Sequence, residues 1–193
     1  MNKKKVVALC STLCLSATAI IGGTLAYFTD TENKENVFTV GNVDITLTEP
    51  NWESSGKVDA ETVYAGEPLA KDPTVENTGN NPCFVRIKVD NLNQFGDKGT
   101  ITLRTDYVDG KLGDNWELKD GYYYYTTPLE VGATTDALFD QIVMPTGLTG
   151  GEEAEPITVT AQAVQAQGAK ASYSAVQTMT VEEIAAWFTT CGM

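Results

Sequence analysis

The stretch Asn42-Val43-Asp44-Ile45-Thr46-Leu47-Thr48 decides the fold class. Its apolar residues, Val43, Ile45 and Leu47, take every second position, and polar residues fill the gaps. Successive side chains of an extended strand point to opposite faces, so the segment reads as a β-strand with one buried and one wet face. Working outward, the same period returns. Val85, Ile87 and Val89 alternate with Arg86, Lys88 and Asp90; Ile101, Leu103 and Tyr107 alternate with Thr102, Arg104 and Asp106. Ile157, Val159, Ala161 and Ala163 alternate with Thr158, Thr160 and Gln162. Tyr122 to Tyr125 form an aromatic strand, with one pair of rings expected in the core and the other on the surface or in an assembly interface. Leu138 to Met144 is an apolar run ended by Pro145. Turn-forming clusters separate these runs: residues 76–82, Asp109-Gly110, Gly113-Asp114-Asn115, Asp120-Gly121 and Thr149-Gly150-Gly151. Short strands cut by such turns, without helical periods between them, predict an all-β sandwich or jelly roll. One helix is expected near the end, where Thr180 and Glu183 make a capping box and Val181, Ile184, Ala185 and Phe188 share a face. Before the deciding stretch, Phe38 and Val40 stand in the opposite phase, which calls for a kink at Gly41-Asn42.

The composition limits what such a sandwich can do. The 193 residues carry 13 Lys+Arg against 26 Asp+Glu, a formal charge of −13. Lys3, Lys4 and Lys5 sit at the start, and without them 10 bases face 26 acids, a net charge of −16. A surface of that sign repels phosphate backbones, which removes nucleic acid as a partner. There is no histidine. Serine and cysteine hydrolases use an imidazole base, and catalytic zinc sites lean on histidine ligands, so the residues predict a chain that is not an enzyme and holds no cofactor.

Three lysines, an apolar run from Val6 to Ala26 and the small-residue exit Thr24-Leu25-Ala26 are the parts of a secretory signal peptide. Cleavage is expected after Ala26, leaving Tyr27 or Phe28 first; the alternative is an uncleaved anchor, since the run is about long enough to span a membrane. The domain reading is therefore a signal peptide over 1–26 and one sandwich over 27–193. Cys83 and Cys191 remain in the exported part, where they form one disulfide or stay as two free thiols. The bridge would be worth roughly 4–5 kcal/mol on the loop-entropy account.

Several motifs reduce to turn chemistry. Ser54-Ser55-Gly56-Lys57 matches Ser-x-x-Lys but lacks the companion elements of penicillin-binding enzymes. Asp30-Thr31-Glu32 and Asn77-Thr78-Gly79 each miss the aspartic-protease triplet by one residue. The acids Asp106, Asp109, Asp114 and Asp120 lack calcium-loop spacing and read as a solvated loop. Trp52, Trp116 and Trp187 are too scattered to make a sugar platform.

Other residues carry a resemblance. These are the run from Gly22 through Tyr27-Phe28-Thr29-Asp30, the run Asn36-Val37-Phe38-Thr39-Val40-Gly41-Asn42-Val43-Asp44-Ile45, residues 71–79, residues 85–89, and residues 157–165. On them the chain resembles the TasA/camelysin family of exported proteins, whose signal is cut by a dedicated signal peptidase. The resemblance implies a jelly-roll-like β-sandwich with, here, a short C-terminal helix. It also implies one of three roles: a biofilm-matrix fibre subunit, a cell-surface or spore-associated binding module, or a casein-cleaving metallopeptidase. No His-Glu-x-x-His is present. The fibre reading implies that residues 27–40 are donated to a neighbouring subunit's sheet, with Phe28, Phe38 and Val40 in the assembly strand. The partners expected are a second copy, other matrix proteins and the signal peptidase; the membrane enters only during export. The chain is then expected outside the cell, in the matrix or on the surface.

Overall fold

The computed structural model describes residues 42–149 and 154–193. The chain divides into two units, Met1–Thr39 and Val40–Met193, and every described residue belongs to the second. The expected cleavage point at Ala26 and Tyr27 and the assembly-strand residues Phe28, Phe38 and Val40 lie outside the described residues.

Among the described residues there are ten strands: β1 (Ile45–Thr48), β2 (Pro68–Ala70), β3 (Thr74–Asn77), β4 (Cys83–Asp90), β5 (Thr102–Thr105), β6 (Val108–Asp109), β7 (Trp116–Lys119), β8 (Tyr122–Tyr125), β9 (Gln141–Val143) and β10 (Thr158–Gln165). A helical stretch over 50–62 (α1) follows β1, and two helices, α2 (Tyr173–Val176) and α3 (Val181–Thr190), follow β10. All strand pairs are antiparallel. One four-stranded sheet has the order β10-β4-β8-β7, another the order β2-β9-β5-β6, and β1 pairs with β3. Main-chain bonds from Lys71 to Asp140, Leu138 to Pro73, Thr135 to Val75 and Asn77 to Ala133 continue the β2–β9 pairing into β3. The β1–β3 pair thus extends the second sheet. From β4 onward the chain alternates between the two sheets, the jelly-roll-like route that the strand spacing predicts.

The sheets close on one core. Val85 and Ile87 of β4, Trp116 and Tyr125 meet Leu69, Ile101, Leu103, Ile142 and Met144 from the facing sheet. A second core lies on the far side of the first sheet, where Phe84, Tyr124 and Val164 pack under Val176, Ile184 and Phe188. The expected capping box holds α3: Thr180 Oγ1 accepts from the Glu183 amide, and Glu183 Oε2 accepts from the Thr180 amide. Ile184 and Phe188 are its buried pair.

That helix changes the reading of two strands. Arg86, expected on a wet face, is only 5% exposed. Its guanidinium lies 4.0 Å from the Tyr122 ring centre and 4.5 Å from that of Phe188, and it donates to Gln162 Oε1 at 2.8 Å. The outer tyrosine pair, Tyr122 and Tyr124, likewise packs beneath α3 and not on a free surface. The disulfide alternative is not the one adopted: Cys83 is buried in β4, Cys191 is exposed at the end of α3, and both thiols are free.

Candidate functional site

Register settles which side of each edge strand is paired. In an antiparallel ladder alternate residues turn their N–H and C=O groups toward the partner, and the residues between turn theirs away. The Thr78 amide donates to the Asp44 carbonyl, and the Asn80 amide to the Asn42 carbonyl. With Ile45 opposite Asn77, the bonded pairs on β1 are therefore Asp44, Thr46 and Thr48. Val43, Ile45 and Leu47 turn their main chain outward. On β10 the Ala166 amide donates to the Pro82 carbonyl, and Ala163 stands opposite Val85. Gln162, Thr160 and Thr158 are the residues that bond β4; Val159, Ala161 and Ala163 turn their main chain outward. Among the described residues neither edge has a second strand beside it.

Both free edges border the same seam. The side chains of Val43, Ile45, Leu47, Ile157, Val159, Ala161 and Ala163 pack against the core yet stay partly exposed. At one end the seam opens into a cleft of about 500 Å³ lined by Leu47, Pro50, Ile157 and Val159. The opposite flank of the sandwich is shut. There Trp116 Nε1 donates to the Asp136 carbonyl, and the Gly113 amide donates to the Leu138 carbonyl. β1 owes its position to the turn after β3. Buried Asn77 donates to the carbonyls of Asn81 and Leu129, while its Oδ1 accepts from the Gly79 amide. A Cβ on Gly79 would stand 2.7 Å from the Asp44 nitrogen, so only glycine lets the turn close on β1. The Asn77-Thr78-Gly79 triplet is a clasp for the edge strand.

The remaining motifs do not converge on the seam or on each other. Ser54, Ser55 and Lys57 lie in α1, where both hydroxyls donate to the Asn51 carbonyl and Lys57 pairs with Glu53. Three of the loop acids are taken up singly: Asp109 by Arg104, Asp106 by Lys111 and Asp120 by Lys119. What sequence reasoning missed is the free side of β10. Its alternation was legible, but the direction of its main-chain groups was not.

With that geometry in place, the class is an antiparallel β-sandwich with an unpaired lateral edge among the described residues. The family model of the camelysin metallo-endopeptidase matches residues 1–95. The chain belongs to the TasA/camelysin family. Among curated protein sequences none matches. The residues do not fit the metal centre that the family's description names. The chain has no histidine, and among the described residues no three His, Cys, Asp or Glu side chains gather to hold a metal ion.

Proposed function

We propose that this protein is a secreted structural subunit that assembles into fibres by strand donation, not an enzyme. The observation that carries the reading is the pair of free strand edges, β1 and β10, bordering one apolar seam. Residues 27–40 of a second copy are the occupant: an extended segment entering the seam would add its own N–H and C=O groups to the ladder and cover the half-buried row. Val159, Ala161 and Ala163 each offer one donor and one acceptor, and each hydrogen bond made there contributes about 0.5–1.5 kcal/mol net. Burying Phe38 and Val40 in the seam would contribute roughly 1.5–3 kcal/mol each. Donation in one direction gives head-to-tail contacts that do not close, hence a filament. The acidic surface suits a protein that stays soluble outside the cell until it assembles.

Deleting Tyr27 to Glu35 tests this. The truncated chain is expected to remain folded by circular dichroism, to elute as a monomer and to form no fibres by electron microscopy. Fibres of normal length from the truncated chain would refute donation.

A further inference from the structure

A second cleft, of about 710 Å³, opens at the end of the sandwich between α1 and the loops after β4 and before β10. Its walls are apolar: Leu69, Phe95, Ile101, Ile142 and Met144 come from the core side, and Leu148 and Pro156 from the rim. Volume and lining fall in the range of small-molecule sites. A buried ion pair stands at its wall. Lys71, buried, donates to Glu49 Oε2 at 2.8 Å and lies 4.7 Å from the Trp52 ring centre. The other oxygen, Glu49 Oε1, is buried without a hydrogen-bond partner. Three acids, Glu49, Glu61 and Glu155, line the cleft against the single base Lys71, which is already paired with Glu49. The surroundings therefore favour a cation over an anion.

We propose that this cleft binds a small apolar molecule with a protonated amine head, the aliphatic part lying along Leu69, Ile101, Ile142 and Met144 and the ammonium lying against the rim carboxylates of Glu61 and Glu155. The proposal is independent of strand donation, because the amine has no part in main-chain pairing.

Calorimetric titration of the full-length protein with decylamine, decanol and decanoate, all below their micelle concentrations, tests it. Decylamine is expected to bind one to one, at least tenfold more tightly than decanoate, with decanol between them. Trp52 fluorescence should change in step, and the change should vanish in Trp52→Phe. The rim pair Glu61→Gln with Glu155→Gln, both remote from the core, should narrow the amine-to-decanoate ratio at least threefold. Ala65→Phe, which fills the cleft from its lining, should abolish binding of both amine and alcohol. Two results would overturn the proposal. One is equal affinity for the three heads. The other is amine binding that survives Ala65→Phe, which would mean attraction to the acidic surface alone.

Discussion

Proline placed at Ala161 separates the free side of β10 from its paired side. Ala161 sits opposite Ile87 in the register, between the bonded residues Thr160 and Gln162, so its N–H faces the seam and not β4. Ala161→Pro removes that donor and puts a ring where an incoming strand would lie, while the β4 ladder keeps all its bonds. Proline is tolerated on an edge strand whose N–H faces outward. The folded subunit should lose less than about 1 kcal/mol, and that only from the constraint on the preceding residue. Thr160→Pro is the internal control. There the lost N–H belongs to the pair with Lys88, and the orphaned Lys88 carbonyl adds about 1–3 kcal/mol to the missing bond. Urea denaturation measures stability, and light scattering with electron microscopy measures assembly. Expected is a near-native midpoint without fibres for Ala161→Pro, and a clearly lowered midpoint for Thr160→Pro. Fibre growth at the native rate by Ala161→Pro would refute the use of the β10 edge. A stability loss as large as that of Thr160→Pro would refute the register argument itself.

Three further predictions concern the sandwich. Arg86→Ala should destabilise it by about 2–4 kcal/mol, since it empties a site enclosed by Tyr122, Tyr124 and Phe188, and Arg86→Leu should recover part of that; a loss under about 0.5 kcal/mol in urea would contradict the packing. Without reductant or denaturant, iodoacetamide at pH 8 should modify Cys191 and leave Cys83 unmodified, because burial pushes the Cys83 thiol up to about 12; two equally fast thiols, or none, would count against the structure. Stability should also fall as the solution is made alkaline. With the Cys83 thiol at 9.0 unfolded and about 12 folded, its contribution is complete below pH 9 and is lost as pH rises toward 12, at roughly 1.4 kcal/mol per pH unit. Cys83→Ser monitored by denaturation at pH 8 and pH 10.5 should show a shallower fall than the native chain.

Much of this protein is determined locally. The alternation at 42–48 and at 157–163 fixes strands with one apolar face, because a pleated backbone has no other way to segregate those side chains. Asp120-Gly121 fixes the β7–β8 hairpin, where both residues take positive φ. The Thr180–Glu183 box fixes where α3 starts, because both partners lie within one turn. Other features needed the tertiary structure. Asp106 and Tyr107 also take positive φ, making a two-residue turn between β5 and β6, so Tyr107 leaves the alternation of Ile101 and Leu103 and stands 83% exposed. Arg86 and the outer tyrosines read as wet because the helix that buries them, Val181–Thr190, comes later in the chain than either strand. The seam shows the same limit most clearly. Period-2 patterning assigns side chains to faces, but main-chain donors and acceptors point along the sheet, and only the identity of the neighbouring strand decides which of them are already taken. Val43, Ile45 and Leu47, and likewise Val159, Ala161 and Ala163, become free edges only because β3 and β4 bond the residues between them.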